Sequence, residues 1–254
     1  MSIEACAELV ERGDPDRFLS AMTAAPDDRG GLMVLYAFNL EVVRAPWVTK
    51  EAMIAEMRLQ WWADAIEEIY AGGAVRKHEV VTPLAALIAD KGLDRAAFDA
   101  LIEARRWDIY KEPHESQAAF DQYISDTSAG LMWLAAQALG AAQEQRSAVI
   151  DFGYGAGVAA LFRAIPALEN AQKYPLVDGS IDGVSSLAQK ALVRLQSAKG
   201  IPRSARAALR AGWMAEYTLR IAAQSPKLVA AGGLGASEFS KKIKLLWMSL
   251  TGGF

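Results

Sequence analysis

The feature that most constrains the fold of this chain is an apolar run from Leu32 to Val43. Read as a helix, the run is apolar almost all the way round, so other helices must enclose it in a bundle. The side chains that cannot all face one partner are Leu32, Leu35, Tyr36, Phe38 and Asn39. The run stops at Ala45-Pro46, because proline lacks a backbone donor and disfavours helix in the residue before it.

A second helix is predicted to follow this turn. It should begin near Thr49, a favoured N-cap residue, with Glu51 in its first turn. Side chains recur along it at three- and four-residue spacings: Met53, Met57, Gln60, Trp61, Asp64 and Glu68. Two helices joined by a short turn lie antiparallel and face each other. The candidate site is therefore expected between the helices at 32–44 and 50–70.

Composition favours an all-α, single-domain helical bundle. Alanine, leucine and other strong helix formers dominate, and alternating β-branched runs are almost absent. The 254 residues are enough to bury a large core, and no repeat or linker divides them, so one domain is expected over 1–254. A short helix from Asp14-Pro15 to Pro26 and a polar turn over 26–31 should precede the apolar run. Further helices are predicted at 80–90, 94–110, 116–139, 147–165, 184–199 and 202–223.

Charge and cysteine content restrict the class of protein. The net charge is −3 and no face is dense in lysine and arginine, so nucleic acid is not an expected partner. The single cysteine, Cys6, cannot form an internal disulfide and is typical of a reducing compartment. The first residues lack the basic start and apolar core of a signal peptide, and no stretch reaches about 20 uninterrupted apolar residues. We therefore expect a soluble, cytoplasmic protein.

Glycines recur at alternate positions in the helix predicted at 147–165, as Gly153, Gly155 and Gly157. A nucleotide-binding loop is one interpretation, but no strand precedes these glycines and their spacing departs from the dinucleotide pattern. Close approach of two helices, which small residues permit, is the interpretation that we favour.

The stretch 237–250 is predicted to form an amphipathic helix. Its apolar stripe consists of Phe239, Ile243, Leu246, Trp247 and Leu250. Its lysines lie on or beside the opposite face: Lys241, Lys242 and Lys244. One interpretation is a helix at an anionic bilayer, which would make the protein peripheral on the inner membrane. The other, which is more common among soluble domains, is a last helix docked on the bundle.

A series of motifs runs through most of the chain: LYAFNLEVVR, MRLQWW, the run from Arg105 to Tyr110, Tyr123 with Ser128-Ala129-Gly130, and GVAALFRAIP. In this order they resemble the squalene/phytoene synthase family, from Asp14 to about Leu176. The resemblance implies the isoprenoid synthase fold, a helical bundle around a central apolar cavity. Active members join two prenyl diphosphates head to head, and two aspartate-rich motifs on facing helices hold Mg²⁺ against the diphosphates.

The aspartates that this resemblance implies are missing. The first motif would place them at Val43, Arg44 and Trp47. The second would place them at Ala164 and Leu168. Hard cations such as Mg²⁺ require oxygen ligands, which these side chains lack. We therefore expect no catalytic residue, no metal ligand and no cofactor, with Mg²⁺ only if the alternative of an active prenyltransferase holds.

Other carboxylates are weak substitutes for the missing ligands. The nearest by sequence are Glu41, Asp64, Asp108 and Asp121. Glu41 lies about 200° around the helix from the lost pair and would face elsewhere. Asp64 and Glu68 form an i,i+4 pair, which is more often a solvated face or a partner for arginine than an ion site. Asp108 is expected to pair with the neighbouring arginines, and neither histidine has metal-ligand spacing.

What persists of the family pattern is a cavity framework that we predict to bind a ligand. Its members are Tyr36, Phe38, Arg58, Gln60, Trp61, Tyr123 and Arg163. Arg58 and Arg163 suit a phosphate or carboxylate, since guanidinium donates a planar pair of hydrogen bonds, and they suit internal salt bridges equally well. For Trp61, Trp62 and Tyr123, packing in the core is favoured over a cage for a cation.

Within the family, the elements AFN-x-E, a turn free of aspartate and R-x-Q-W-W resemble one branch, which includes a mitochondrial assembly factor for respiratory complex I. This resemblance implies a role in building a membrane-side module of the complex, with a respiratory-complex subunit as partner and without prenyl transfer. We favour a non-catalytic protein that binds a partner or an isoprenoid lipid. The alternatives are a carrier of lipid or quinone at the membrane surface and a prenyltransferase with an unusual metal site.

Overall fold

The apolar run lies in a 19-residue helix of the computed structural model, which describes residues 2–254. This helix, Pro26–Arg44 (α3), buries every residue from 32 to 40, so the prediction of a helix enclosed on all sides is confirmed. It begins earlier than expected. Pro26, Asp27 and Asp28 occupy its first turn, where proline needs no N–H and carboxylates favour the helix N-terminus. The predicted polar turn over 26–31 is therefore wrong.

The protein is all-α, and the described residues form no strand. Besides α3, the helices are Ile3–Gly13 (α1), Pro15–Met22 (α2), Ala52–Tyr70 (α4), Val81–Lys91 (α5), Arg95–Ala104 (α6), Gln117–Ile124 (α7), Gly130–Ala138 (α8), Arg146–Asn170 (α9), Ile181–Ser197 (α10), Arg206–Leu209 (α11), Ala215–Gln224 (α12), Lys227–Ala230 (α13) and Glu238–Thr251 (α14). Short 3-10 turns lie at Arg105–Ile109, Gln143–Gln145 and Arg210–Gly212. A π-helical turn, Ser125–Ala129, joins α7 to α8.

The N-terminal helix α1 is missing from the sequence-based prediction. Only two of its residues, Cys6 and Val10, are buried, and the helix packs on α3. Its apolar residues do recur at helical spacing, as Ile3, Cys6, Ala7 and Val10, so the sequence carries the periodic signal of this helix. The start of the next helix is confirmed, because the Asp14 carboxylate caps α2 by accepting a hydrogen bond from the Arg17 N–H at 3.0 Å. Its predicted end at Pro26 is wrong, since α2 ends at Met22 and Pro26 begins α3.

Three other predicted boundaries are wrong. Glu51, not Thr49, is the N-cap of α4, and the Thr49 hydroxyl instead accepts a hydrogen bond from the Glu51 N–H at 3.1 Å in the preceding turn. The helix predicted at 94–110 ends at Ala104 and continues as a 3-10 turn. The helix predicted at 202–223 is broken into α11, a 3-10 turn and α12.

Helix α9 crosses the bundle with three glycines at its contacts. A Cβ atom added at Gly153 would lie 2.7 Å from Ala129 Cα, and one at Gly155 would lie 2.7 Å from Leu195 Cβ. One at Gly157 would lie 2.6 Å from a side-chain carbon of the π-helical turn. Larger residues would push these helices apart, so the helix-packing interpretation of the glycines is confirmed.

The segment Gln143–Asn170, which contains α9, is long and apolar enough to cross a membrane by length and composition, with a mean hydropathy of 1.4 in its most apolar window. Within the bundle, 56% of that window is buried. The core helix of a soluble protein meets the same criteria, and the burial of this helix against α8 and α10 is of that kind.

The helix α14 is docked on the bundle, but its apolar stripe points to solvent. Leu245 and Met248 pack near Trp213 and Met214. The exposed fractions of the stripe residues are 74% for Phe239, 50% for Ile243, 59% for Leu246, 68% for Trp247 and 71% for Leu250. The helix α14 therefore packs on the bundle, as the second interpretation expects. It does so through the face opposite the apolar stripe, which stays exposed.

Candidate functional site

Two adjoining chambers lie among α2, α3, α7, the π-helical turn and α9. The larger has a volume of about 390 Å³ and the smaller about 110 Å³. They meet at four residues that line both: Asp14, Arg17, Ser128 and Ala160. Together they form the central cavity predicted from the fold class. A more open groove of about 1020 Å³ lies beside Lys173 and Lys227, and its lining includes none of the predicted site residues.

The larger chamber has apolar walls where the family resemblance would place carboxylates. Four of those five positions line it: Val43, Trp47, Ala164 and Leu168. The fifth, Arg44, turns toward Glu41, with Nη1 4.0 Å from Oε1. Hydrocarbon and indole side chains therefore face each other across the chamber from α3, the turn after it and α9.

Three polar side chains form a hydrogen-bonded network in the larger chamber. Arg105 Nη1 donates to Asp108 Oδ2 at 3.0 Å and to the Tyr123 hydroxyl at 2.7 Å. The Tyr123 hydroxyl in turn donates to Asp108 Oδ1 at 2.9 Å. Burial raises the pKa of Tyr123 well above its usual range, so this hydroxyl stays protonated. The predicted pairing of Asp108 with a neighbouring arginine is confirmed.

Two further ion pairs lie in the cavity. Arg17 Nη1 donates to Asp14 Oδ2 at 2.8 Å, where the two chambers meet. In the smaller chamber, Arg163 Nη1 lies 3.6 Å from Asp16 Oδ2. The Nζ atom of Lys241, from α14, lies 3.6 Å from the other oxygen of Asp16. The salt-bridge interpretation of Arg163 therefore matches its position.

The smaller chamber also contains a buried hydroxyl. Tyr36 lines it and is 1% exposed; the Ser20 side chain lies beside its hydroxyl and lowers its pKa slightly, but no described residue meets it with full hydrogen-bond geometry. Burial raises the pKa of Tyr36 to about 12, so the group is a neutral donor at physiological pH. A buried polar atom left without a partner costs about 1–3 kcal/mol, which a bound water or ligand oxygen would relieve.

The residues present do not fit a Mg²⁺ site. The three carboxylates of the cavity are each paired with an arginine, whose positive charge opposes a metal ion. The described part of the chain contains no group of three His, Cys, Asp or Glu side chains that could hold a metal. Glu68 binds Arg76 at 2.7 Å, as the arginine-partner interpretation predicts. Asp121 accepts hydrogen bonds from the Tyr154 hydroxyl at 2.7 Å and from Lys190.

The structure brings together three of the seven predicted cavity residues. Tyr36 and Arg163 line the smaller chamber, and Tyr123 lines the larger. Tyr123 interacts with Arg105 and Asp108 rather than standing as simple core packing. Ligand binding by these three residues stays a prediction.

The other four predicted residues lie away from the chambers: Phe38, Arg58, Gln60 and Trp61. The ring of Phe38 meets Trp62 at 5.4 Å and Phe98 at 5.2 Å, edge to face. The Trp61 ring packs on Trp62 and beneath Arg76. Arg58 and Gln60 are exposed. The two chambers do not lie between α3 and α4, where the site was expected, because the inward face of α4 packs into this aromatic cluster.

Sequence reasoning missed several residues that line the cavity. Asp14 was identified only as a helix cap, and its pairing with Arg17 looks the same in sequence whether it faces water or a cavity. Trp107 lies in a 3-10 turn and Trp213 in the broken segment after α11, so neither has a helical period that would place it. For Trp107 the family resemblance of the run from Arg105 to Tyr110 was a usable signal, whereas the positions of Asp14 and Trp213 follow only from the assembled fold.

The fold defines a protein of the isoprenoid synthase type. A crystal structure of a dehydrosqualene synthase in complex with ligand aligns with a TM-score of 0.80 over 98% of this chain and 95% of that one, at 13% identity. The squalene synthase HpnC from Alicyclobacillus acidocaldarius aligns with a TM-score of 0.64 over 99% and 95%, at 17% identity. At such identities the likeness establishes the fold alone.

The chain belongs to the squalene/phytoene synthase family, whose sequence profile matches residues 10–176. It is 26% identical over 201 residues to the Drosophila melanogaster homolog of NADH dehydrogenase (ubiquinone) complex I, assembly factor 6, covering 76% of this chain and 59% of that protein. It is 22% identical over 162 residues to the Homo sapiens assembly factor 6, covering 63% and 48%. The chain thus spans about half the length of the curated relatives it matches.

Proposed function

We propose that this chain is a non-catalytic member of the family that serves in the assembly of respiratory complex I and holds an isoprenoid or other lipid in its cavity. The names of its relatives support the first part. The cavity supports the second, because a chamber of a few hundred cubic ångströms with apolar walls and a few polar groups is typical of a small-molecule site.

One observation carries the non-catalytic part of the proposal. The positions expected to hold Mg²⁺ ligands are occupied by Val43 and Trp47 on one side of the chamber and by Ala164 and Leu168 on the other. Ionisation of a prenyl diphosphate places several negative charges on the leaving group, which hard cations held by carboxylates must neutralise. These side chains offer no such ligand, so no metal ion would neutralise the leaving group.

Enzymatic assay tests this part directly. The purified chain, incubated with farnesyl or geranylgeranyl diphosphate and Mg²⁺, should release no pyrophosphate above a protein-free control. Mg²⁺-dependent release would overturn the proposal and favour the alternative, a prenyltransferase that condenses two prenyl diphosphates.

A genetic experiment tests the assembly role. Deletion of the gene from its host should lower the amount of assembled complex I on native gels, with accumulation of subassemblies. Re-expression of the chain should restore it. A normal amount of complex in the deletion strain would overturn the role in assembly while leaving lipid binding open to its own test.

Peripheral contact with a membrane through α14 is part of the same proposal. The apolar stripe faces away from the bundle, and Lys242 is exposed beside it. Burial of such a stripe at the bilayer interface, with lysine near anionic headgroups, is how interfacial helices bind. A contiguous apolar surface of this kind on a folded protein usually marks an interaction site.

Co-sedimentation with vesicles tests the membrane contact. The protein should bind vesicles containing phosphatidylserine better than vesicles of phosphatidylcholine alone, and the double variant Trp247→Glu, Leu250→Glu should lose binding. Val193→Glu is the matched control, since Val193 on α10 is 68% exposed, as Trp247 is. Equal binding of the double variant and the control would exclude α14 as the contact.

A further inference from the structure

The charged side chains that line the two chambers balance one another. Among the described residues there are three arginines and three aspartates: Arg17, Arg105, Arg163, Asp14, Asp108 and Asp16. They form three pairs, at 2.8 Å, 3.0 Å and 3.6 Å. Lys241 approaches Asp16 from outside the lining, and it is paired in turn with Glu238 at 2.9 Å. The net charge presented to a ligand is therefore zero.

A balanced lining is unsuited to a diphosphate. Proteins bind such groups with several cations that are free to donate charge-assisted hydrogen bonds. Here Arg17 and Arg105 already donate to carboxylates, and Arg163 lies 3.6 Å from Asp16. A diphosphate would therefore have to displace one of these aspartates or lie beside its negative charge. An uncharged head group meets neither penalty.

Donors that remain free indicate what kind of head group would fit. Tyr36 lines the smaller chamber and Arg105 lines the larger. The Tyr36 hydroxyl, which has the Ser20 side chain beside it, and the Nε of Arg105 are buried and fall outside the hydrogen-bond geometry of any described partner. Both are donors, so they suit an oxygen that accepts hydrogen bonds, such as a carbonyl or hydroxyl. The apolar walls formed by Val43, Ala164 and Leu168 suit a hydrocarbon chain.

We infer that the cavity selects an uncharged lipid with a carbonyl or hydroxyl oxygen as its head, a prenol or prenylquinone rather than a prenyl diphosphate. This inference rests on the proposed lipid-binding function and names the ligand class for it. The three ion pairs are the selective element, because they leave the cavity without an unpaired cation.

Titration of the full chain with two ligands of equal chain length tests the inference. Binding is followed by quenching of tryptophan fluorescence, since Trp47, Trp107 and Trp213 line the chambers. Farnesol should bind about ten-fold or more tightly than farnesyl diphosphate in the absence of Mg²⁺, the ratio expected from one unmatched charge-assisted hydrogen bond. Equal or tighter binding of the diphosphate would overturn the inference, as would failure of both to bind.

A charge variant tests the selective element. Asp14→Asn removes one negative charge where the chambers meet and keeps a side-chain oxygen for the cap of α2. It frees Arg17, so the affinity ratio should shift toward the diphosphate by about ten-fold. Asp108→Asn, which frees Arg105, should shift it in the same direction if the first variant folds poorly.

The matched control is Asp99→Asn, which removes an exposed partner of Arg95 outside the cavity and should leave the ratio unchanged. An unchanged ratio in both cavity variants would overturn the inference. The same ligands with Mg²⁺ separate the two proposals: diphosphate that binds without turnover contradicts the ligand class alone, whereas pyrophosphate release contradicts the non-catalytic function.

Discussion

Phe38 illustrates how a residue of a family motif can serve packing rather than ligand binding. Its side chain is fully buried, and its ring contacts Trp62 and Phe98. Phe38→Ala should therefore lower the free energy of unfolding by about 3–5 kcal/mol, the usual cost of removing a buried aromatic ring. Urea denaturation measures this difference.

Arg58→Ala is the control for Phe38, since Arg58 belongs to a neighbouring motif and is exposed. The free energy of unfolding of Arg58→Ala should stay within about 0.5 kcal/mol of the wild-type value. If Phe38→Ala left stability unchanged, the ring would not be the core element described above.

His114 should make stability depend on pH. Its ring stacks on Trp107 with centroids 3.9 Å apart, and burial lowers the pKa of the folded imidazole below its ordinary value, against a smaller opposing effect of Asp108. The unfolded chain then binds the proton more readily, so stability falls as pH drops below about 6.5, the unperturbed value. His114→Phe keeps an aromatic ring and removes the titration.

Denaturation of both proteins across this pH range checks the prediction. The wild type should lose stability more steeply than His114→Phe as the pH falls. Parallel curves would show that the imidazole titrates alike in the folded and unfolded states.

At the scale of residues, the sequence predicted which side chains form an ion pair better than it predicted which side chains reach the cavity. The pair of Asp108 with Arg105 follows from proximity along the chain. The position of Arg58 and Trp61 outside the cavity does not follow from proximity along the chain, because the direction in which a helix face points depends on neighbours far away in sequence. Asp14 and Arg17 reach the cavity for the same reason.

At the scale of elements, α9 depends on glycine where it meets the π-helical turn. Gly153→Ala would place a Cβ atom 2.7 Å from the backbone Cα of Ala129, which cannot move aside as a side-chain end can. We expect a loss of about 1–3 kcal/mol, the range for overpacking, even though alanine favours helix. Thermal unfolding monitored by circular dichroism measures it.

Gly179→Ala supplies the comparison for Gly153, because a Cβ atom there would meet nothing within 4 Å. It should unfold at the wild-type temperature or slightly above. Equal unfolding temperatures for the two variants would contradict the close contact of α9 with the turn.

The sequence predicted which segments are helical for most of the chain, but it did not predict where several of these helices begin and end. The start of α3 at Pro26 and the break after Ala104 both follow known capping and turn chemistry, yet each sequence also permits the boundary that we predicted. Helix α1 was predictable as well, since Ile3, Cys6, Ala7 and Val10 recur at helical spacing and Cys6 and Val10 are buried where it packs on α3.

For the whole molecule, addition of Mg²⁺ should leave stability unchanged. An ion that binds only the folded state raises Tm in proportion to its affinity, and every carboxylate lining the chambers is paired with an arginine. Millimolar MgCl₂ should therefore give the same Tm as NaCl at equal ionic strength. A rise specific to Mg²⁺ would reveal a site that the cavity's side chains do not explain.

The global architecture was predictable because ordered motifs identify a fold more strongly than any single periodic segment. The central cavity follows from that fold, and so does the approach of Val43 and Trp47 to Ala164 and Leu168 across it. The balance of charge inside the cavity was predictable only in part: two of the three pairs are i,i+3 neighbours, but that all three line one cavity, and that Asp16 pairs with the distant Arg163, does not follow from sequence. It required the packed structure.

The π-helical turn Ser125–Ala129 makes the cavity's polar corner sensitive to chain length. Such a turn holds one residue more than an α-helical path between the same ends. Deleting a single residue there would let regular α-helical winding join the same ends, so α7 and Tyr123 would keep their places. The residues inside the turn would change the directions in which they point, among them Thr127 and Ser128, which line the larger chamber beside Tyr123.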